Sequence, residues 1–368
     1  MPLPQSLTCP GRLHSVVSMR MSLACLLLIL LPCAARAVPV GDLYEAEVPV
    51  SDQTDQRRPG AIRAALGQVL IKLTGDRTAP GRPEFAPVLG ESQRLVQQYL
   101  YRERVPVSAD PALVTQPETL LWARFDERLL SQQLRGLGAS IWGAERPGTL
   151  VWLVSEDAGG PFIVGQDSKP GFIAVLEDRA RRRGIGLVFP LLDLEDSSRI
   201  RAADIGSADL PAITEASARY GADAVLAGKI VSPEPGIWEA EWHIYLAGET
   251  LDWNTRGEIA DLALEELIDS LADTLAARYV IQSVAGVGTR VSITVAEINT
   301  NDQYAETLKY LRSLSSVTDV QVTQVAPGQV SFSVTAHGGE AAIVQAIALS
   351  RRLQPIANSG ERIYRLLP

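Results

Sequence analysis

The spacing of apolar residues changes at Gly221, within the stretch SADLPAITEASARYGADAVLAGKIV at residues 207–231. Before this glycine the spacing is helical, and Ser207 is predicted to be the helix N-cap. The inner face of this helix is predicted to contain Leu210, Ile213, Ser217 and Tyr220. Gly221 is expected to end the helix, and the apolar run 224–231 is typical of a strand buried on both faces of a sheet. The stretch therefore predicts half of a helix–strand crossover unit.

Residues 38–147 are predicted to form a first small α/β module. Its clearest element is the helix Pro59–Leu73, whose apolar residues form a continuous stripe. The other predicted elements are a strand at Leu43–Val50, a loop at 76–90, a helix at Ser92–Tyr101, a strand at Leu120–Phe125 and a helix at Glu127–Leu137. Basic residues surround the first helix, namely Arg57, Arg58, Arg63 and Lys72. We interpret them as a solvated face, and the alternative is an anion site.

Residues 148–283 are predicted to form a second α/β module. Besides the 207–231 stretch, it contains predicted strands at Leu150–Ser155, Leu187–Leu192, Ile237–Leu246 and Thr250–Thr255, and predicted helices at Phe172–Arg183 and Leu262–Tyr279. The sequence Ala247-Gly248-Glu249 predicts a hairpin turn between the last two strands.

Residues 284–368 are predicted to form a third module with the order β-α-β-β-α-β. The predicted elements are Arg290–Ile298, Asp302–Leu314, Val317–Val325, Gln329–Thr335, Gly339–Leu353 and Arg362–Leu367. This order is the ferredoxin-like, split βαβ arrangement. The predicted fold class is therefore α+β or α/β, built from tandem small modules of which the C-terminal one is ferredoxin-like.

Residues 1–37 have the pattern of a secretory signal peptide. The apolar run Leu23–Leu31 is followed by a small-x-small sequence at 35–37, which predicts cleavage before Val38. Alternative translation starts are Met19 and Met21.

All three cysteines, Cys9, Cys25 and Cys33, lie in the segment predicted to be removed. A lipoprotein with Cys33 as its first residue is the alternative, although a proline before that cysteine is unfavourable. The exported protein is therefore expected to be stabilised by its core and not by disulfides.

Charge and hydropathy exclude several classes of partner. Cleavage removes Arg12, Arg20 and Arg36 and no acidic residue, so the formal net charge changes from −9 to −12. An acidic chain argues against nucleic acid and anionic membranes as partners. No later segment has eighteen consecutive apolar residues, so no transmembrane segment is expected after cleavage. The expected location is the periplasm.

No catalytic, cofactor-binding or metal-binding residue is predicted. His243 and His337 fall in different modules, and the chain has no G-x-S-x-G motif, dinucleotide fingerprint or P-loop. The acidic residues Asp193, Glu195 and Asp196 could ligate a hard cation, but they lack the spacing of a calcium loop. Our interpretation is that they form a loop that leads into a helix cap at Ser197.

The hairpin predicted at 237–255 carries the residues that we expect to bind a partner. Trp238, Trp242 and Trp253 can share one face, which we interpret as core and, alternatively, as a stacking platform for glycan or peptide. The opposite face of the first strand contains Glu239, Glu241, His243 and Tyr245. This polar face is the predicted site of partner binding.

Several blocks resemble a known family. They are LYEAEVPVSDQ, RAALGQVLIKLTGDR, LLWARFDERLL, IWGAERPGTLVWL, FPLLDLED and ASARYGADAVLAGKI. Between Leu43 and Tyr279 the chain resembles the gammaproteobacterial family of exported proteins known as domain of unknown function 2066. The resemblance implies no activity and no catalytic residues. The Tyr220–Asp223 block is more distantly similar to small α/β domains of periplasmic envelope proteins, which implies binding to partners.

Two classes of function follow from these observations. The first is a non-enzymatic periplasmic module that binds envelope proteins or cell wall, as an interaction or scaffolding protein. The second is a hydrolase that uses carboxylates such as Asp193 and Glu195, which would require a paired acid and base with separated pKa values. A deep pocket that holds two or more carboxylates would favour the hydrolase, whereas an exposed groove or sheet edge with none would favour binding.

Overall fold

The computed structural model describes residues 42–368 apart from residues 111, 112, 114, 158, 166–170, 281–287, 357–361 and 368. These described residues belong to one compact unit, Arg36–Pro368, and form a mixed α+β fold with three β-sheets and eleven α-helices. The predicted signal peptide and its cleavage site lie outside them. Within the described part of the chain, no helix is both long enough and apolar enough to cross a bilayer.

The first sheet has three antiparallel strands in the order β1-β3-β2. Its elements are β1 (Glu45–Val50), α1 (Arg58–Thr74), α2 (Ala86–Gly90), α3 (Ser92–Leu95), β2 (Val96–Arg104), β3 (Glu118–Phe125) and α4 (Glu127–Gly136). The apolar stripe of α1 packs on one face of the sheet, where Leu66 and Val69 share a core with Leu121 and Phe125. Gly75 ends α1 in the left-handed conformation, with φ 74°.

Two predictions in this region were wrong. The helix predicted at Ser92–Tyr101 stops at Leu95, and β2 begins at the next residue and pairs with β3. A longer helix would have left β3 with an unpaired edge, and strand pairing here outweighs local propensity. The segment predicted as loop at 76–90 contains α2 and the 3-10 turns Ala79–Gly81 and Pro83–Phe85.

The second sheet has the strand order β5-β4-β7-β8-β9, and β6 also pairs with β4. Its strands are β4 (Gly148–Asp157), β5 (Gly160–Ile163), β6 (Gly186–Val188), β7 (Ala224–Glu234), β8 (Ile237–Leu246) and β9 (Glu249–Gly257). Its helices are α5 (Gly171–Arg183), α6 (Leu194–Arg199), α7 (Ala202–Gly206), α8 (Leu210–Ser217) and α9 (Ala260–Tyr279). β4 and β7 are parallel, as a crossover unit requires, whereas β8 and β9 are antiparallel.

Apolar residues on both faces bury the centre of this sheet. On the face covered by α5 and α9, the core contains Val151, Leu226 and Trp242. On the other face, Ile205 of α7 and Ile213 of α8 pack in a separate core around β4. The sequence prediction of a strand buried on both faces at 224–231 is thus consistent with the central position of β7.

The helix before β7 begins later than predicted. Its N-cap is Asp209, whose carboxylate accepts a hydrogen bond from the Ala212 amide at 3.2 Å, whereas Ser207 follows the last residue of α7. The reason is that the unpredicted helix α7 occupies the residues just before Ser207. Gly221 has φ 56° and ends the 3-10 turn Ala218–Tyr220 that follows α8.

The third sheet has the strand order β11-β12-β10-β14-β13. Its elements are β10 (Thr289–Ile298), α10 (Asn301–Ser313), β11 (Val317–Ala326), β12 (Gly328–Ala336), α11 (Gly339–Ser350), β13 (Leu353–Pro355) and β14 (Ile363–Leu366). The predicted β-α-β-β-α-β order does not describe the end of the chain, because two strands follow α11. Arg351, with φ 52°, ends the helix before Leu353, and β13 then pairs with β14. This reversal makes β14 parallel to β10, whereas a single crossover strand would be antiparallel to it.

Three buried basic side chains lie near the contact between α1 and α5, and two of them join the first and second sheets. Lys72, predicted to be solvated, is only 5 % exposed, and its Nζ donates hydrogen bonds to the carbonyl oxygens of Asp42 and Glu45. Arg183 at the end of α5 donates to the Gly75 carbonyl at the end of α1, at 3.0 Å, and pairs with Asp273 of α9 at 2.5 Å.

Arg146 is the third buried cation at this joint. Its guanidinium donates to the carbonyl oxygens of Lys72, Trp142, Gly143 and Gly184, at 2.5–2.8 Å. These four carbonyls come from the first-sheet helix α1, from the segment between the two sheets and from the residue after α5. A single side chain therefore holds three segments together.

Polar contacts link the third sheet to the rest of the chain. Asp223 accepts a hydrogen bond from the Gly148 amide at 2.9 Å through one oxygen and pairs with Arg351 at 2.7 Å through the other. Gln345 of α11 donates to the Tyr279 carbonyl at 2.8 Å, and Ser315 bonds to Glu145.

Candidate functional site

The hairpin of β8 and β9 is closed by a two-residue turn. Ala247 and Gly248 both have positive φ, at 51° and 83°. A turn of this kind matches the right-handed twist of the two strands, and it fixes their register. Trp242 consequently lies directly opposite Trp253, and Glu249 opposite Leu246.

The tryptophans of the hairpin belong to the core. Trp242 is 1 % exposed, its indole N–H donates to Thr255 Oγ1 at 2.8 Å, and Trp238 and Trp253 pack against the same core. Gly228 on β7 lies directly opposite Trp242, and a Cβ at residue 228 would overlap the indole ring. Our interpretation of these tryptophans as core, and not as a stacking platform, is therefore confirmed.

The opposite face of β8 carries the four residues that the sequence assigned to partner binding. Glu239 and Glu241 are exposed, whereas His243 and Tyr245 are partly buried. Tyr245 packs against the core beneath α7 and α8, and burial raises the pKa of its hydroxyl, with smaller contributions from Asp252 and Asp209. Glu239, Glu241 and His243 therefore lie on the open part of this face, whereas Tyr245 lies on the part that α7 and α8 cover.

A groove of about 470 Å³ lies on this open face, across β7, β8 and β9. Glu239 and Glu241 line it together with Lys229 of β7 and Asn254 and Arg256 of β9. The Arg256 Nε lies 3.5 Å from a Glu239 oxygen. Beside the groove, His243 Nδ1 lies 2.7 Å from an Asp252 oxygen.

Sequence reasoning missed the contributions of the neighbouring strands. Asp252, Asn254 and Arg256 lie opposite His243, Glu241 and Glu239, and Lys229 lies opposite Glu241 on β7. The outward positions of β9 could have been predicted from the alternation of Leu251 and Trp253, because residues between two inward-pointing positions of a strand point outward. Lys229 carried no such signal, since it interrupts an apolar run that predicts burial on both faces.

The acidic cluster considered for metal binding or hydrolysis is paired with arginines, Arg219 on all three members and Arg199 on Glu195 at 3.0 Å. The predicted cap at Ser197 is wrong, because Asp193 is the N-cap of α6 and accepts hydrogen bonds from the amides of Glu195 and Asp196, which places Ser197 inside the helix. Arg219 Nη1 contacts Asp193 at 2.7 Å, Asp196 at 3.1 Å and Glu195 at 3.5 Å. The hydrogen bond from Arg219, followed by that from the Asp196 amide, lowers the pKa of Asp193 below its ordinary value. A lowered pKa is the opposite of what a general acid needs.

The two histidines that follow the predicted signal peptide lie apart, His243 in β8 of the second sheet and His337 between β12 and α11. Burial, followed by the charge of Arg135, lowers the pKa of His337. Among the residues that the structure describes, no group of three His, Cys, Asp or Glu side chains is placed to hold a metal ion.

Comparison with known proteins corrects the family resemblance. Residues 37–143 match the family described as Domain of unknown function (DUF8605). The predicted relation to domain of unknown function 2066 is therefore wrong. The match covers under a third of the chain, and it ends before the strands of the hairpin. No curated protein matches the chain at a significant level.

Proposed function

We propose that this protein is an exported, non-catalytic binding module of the periplasm that engages an envelope protein through the hairpin of β8 and β9. The observation that carries the proposal is the open polar face of the hairpin, which ends at a free sheet edge. In the described part of the chain, β9 pairs with β8 alone and has its other edge unpaired. An exposed strand edge of nine residues is a template on which an extended segment of a partner can pair.

Charge indicates the chemistry of the partner segment. The outer face presents the carboxylates Glu156, Glu239, Glu241 and Asp252 and the basic side chains Lys229 and Arg256. Four acidic and two basic side chains leave an excess of two negative charges. A partner segment rich in lysine or arginine complements this face, and such complementarity mainly speeds association and excludes wrong partners.

The carboxylates considered for hydrolysis, Asp193 and Glu195, do not form the acid–base pair that catalysis requires. A hydrolase needs one carboxyl with a raised pKa beside a second, ionised one. Arg219 instead stabilises the ionised form of Asp193 and contacts its two acidic neighbours. This arrangement is that of a structural cap.

The separate cores of the three sheets also support an interaction role. Each of the three sheets has a core of its own, and the second has a core on both faces. We infer that the sheets are modules that one exported chain carries side by side.

The test uses a photo-cross-linking amino acid at Asn254, on the exposed side of β9. We expect it to capture a specific protein in the periplasm, and we expect Glu241→Lys in the same chain to abolish capture. The matched controls are the cross-linker at Glu306, which is exposed on α10, and the charge reversal Glu306→Lys. Equal capture from residues 254 and 306, or capture that survives Glu241→Lys in a folded protein, would refute the hairpin as the binding surface.

A further inference from the structure

A second concave region lies between the first sheet and α5, and it shares no lining residue with the hairpin groove. This cleft has a volume of about 390 Å³. One wall contains β1 and the end of α1, a second contains the outer face of β2 and β3, and α5 supplies the third. Volumes of about 300–1,000 Å³ are typical of sites for small molecules.

Lys72 belongs to the α1 wall of the cleft, although 95 % of its surface is buried. Its ammonium donates to the Asp42 and Glu45 carbonyl oxygens at 3.2 and 2.8 Å. An ammonium has three donors, and two are directed to neutral acceptors. Within the described residues no carboxylate lies within ion-pair distance of Lys72 Nζ. A buried positive charge without an ionic partner is costly unless a ligand compensates it.

On the sheet wall, the acidic side chains already have cationic partners. Trp122 lies between Arg102 and Arg124, whose guanidinium carbons are 5.2 and 5.3 Å from the ring centroid. Glu45 accepts from the Trp122 indole N–H at 3.0 Å and from Arg124 Nε at 2.6 Å. Glu47 pairs with Arg102 at 2.9 Å. With two carboxylates and two guanidinium groups, this wall is formally neutral.

The α5 wall has an excess of positive charge. Three guanidinium groups converge on the single carboxylate of Asp178, from Arg104 at 2.7 Å and from Arg181 and Arg182 at 2.9 Å. Each guanidinium has five N–H donors, so donors remain after these contacts. Arg104 has a second carboxylate partner, Glu118, at 2.9 Å. The single negative charge of Asp178 is therefore shared by three guanidinium groups, those of Arg104, Arg181 and Arg182.

We propose that this cleft binds a small organic polyanion, whose carboxylate or phosphate groups lie between Lys72 and the pair Arg181 and Arg182. The lining includes five basic and four acidic side chains. The whole chain has a formal net charge of −9, so the excess of one positive charge in the cleft is opposite in sign to the charge of the chain. Arginine and lysine are the side chains that recognise carboxylate and phosphate most strongly.

The titration of Lys72 is consistent with such a ligand. Burial lowers the pKa of this ammonium, Arg146 and Arg181 lower it further, and Asp42 and Glu45 oppose the shift. The charged groups that face Lys72 are therefore Glu45 of β1, Asp42 just before β1, Arg146 between the first and second sheets, and Arg181 of α5. A polyanion at this position would add a compensating charge and favour the protonated ammonium.

The test measures binding of two probes to the exported protein by isothermal titration calorimetry at low salt. Citrate represents polycarboxylates and pyrophosphate represents polyphosphates, so that the tighter probe identifies the group recognised. We expect one probe to bind at one site per chain with a Kd below about 1 mM. Absence of measurable binding by both probes would overturn the proposal.

Variants locate the site. Arg181→Gln and Arg182→Gln change partly exposed side chains, and each is expected to weaken binding about tenfold, as loss of a charge-assisted hydrogen bond does. The matched control is Arg94→Gln, whose side chain is 81 % exposed on α3 and does not line the cleft. Equal loss in all three variants, or in none, would place the probe outside the cleft.

Lys72→Met gives a further readout. In the wild type, binding is expected to weaken as the pH is raised from 7 to 9.5, because Lys72 loses its proton in this interval. The same dependence in a folded Lys72→Met protein would overturn the role of Lys72, and the arginine variants test the cleft if Lys72→Met does not fold.

Discussion

The guanidinium carbon of Arg146 lies 4.1 Å from the centroid of the Trp142 indole ring. Arg146 is thus stacked on an aromatic ring while its donors bind four carbonyl oxygens. Burial lowers the pKa of Arg146 to about 9, so the side chain is still charged at neutral pH. Neutral carbonyl dipoles and an aromatic face together replace the carboxylate that a buried arginine usually requires.

Replacement of Arg146 by lysine should strongly destabilise the protein. A lysine ammonium has three donors on a flexible stem and cannot reach four carbonyls while stacking on Trp142. We expect Arg146→Lys to lower the free energy of unfolding by about 3 kcal/mol, measured by urea denaturation. Arg128→Lys, on an exposed position of α4, should change it by less than about 0.5 kcal/mol. A similarly small decrease in the free energy of unfolding in both variants would show that the hydrogen bonds from Arg146 to the four carbonyls contribute little to stability.

Lys72 should make stability depend on pH in the alkaline range. Burial lowers its pKa to about 8 from the ordinary 10.5, so the unfolded chain binds more protons between these values. Stability should therefore rise with pH from 8 to 10.5 relative to a folded Lys72→Met variant. The shift corresponds to a change on the order of 3 kcal/mol in the difference between the two proteins. Parallel stability curves for wild type and variant in this pH range would contradict the prediction.

Addition of one methyl group at Gly228 should disrupt the hairpin core. A Cβ there would overlap the Trp242 ring and lie 2.6 Å from the Glu241 carbonyl oxygen. We expect Gly228→Ala to destabilise the protein by about 2 kcal/mol, with a decrease in tryptophan near-UV circular dichroism. Gly60→Ala in α1 is the control, because open space surrounds its Cβ position and helical alanine is favourable. An unchanged free energy of unfolding in Gly228→Ala would mean that β7 and β8 can move apart to accommodate the methyl group without loss of stability.

The C-terminal residues 284–368 should fold as an isolated fragment. Their sheet closes around a core of its own, in which Leu311 of α10 and Ile343 and Ile347 of α11 are buried. We expect a cooperative thermal transition of the fragment, measured by circular dichroism. A fragment that melts without a transition would place the module boundary elsewhere.

Export should remove residues 1–37. The intact mass of the exported protein is expected to correspond to a chain that begins at Val38, and reductant should leave its melting temperature unchanged because no cysteine remains. A lipidated species that begins at Cys33 would refute the predicted cleavage.

The sequence predicted elements best where burial follows a simple period. The stripe of α1 and the double-sided burial of β7 each leave a pattern along the chain, so both were located to within a few residues. β2 leaves no such pattern, because Gln97, Gln98 and Tyr99 are exposed and the strand is defined by its pairing with β3. The direction of β14 depends on the three-residue strand β13, which is too short to give a periodic signal.

Buried charge was the main feature that the sequence could not predict. Lys72 lies seven residues after Ala65 and three after Val69, beside the buried stripe of α1, but its charge predicts exposure, and the carbonyl groups that accept from it are set by the packing of β1 against α1. Arg146 is similar, since its acceptors are backbone groups that every residue possesses. By contrast, the polar face of the hairpin could be predicted from alternation, because Glu239 and Glu241 lie between inward-pointing tryptophans and alanine.

Asp223 has a mechanical consequence for the third sheet. Its two carboxylate oxygens serve different partners, the Gly148 amide at the start of β4 and Arg351 at the end of α11. Because the bonds use separate atoms, the bond to Arg351 can break while the one that fixes β4 stays intact. Loss of the Arg351 side chain would therefore remove one attachment of the third sheet and leave the hydrogen bond at the start of β4 in place.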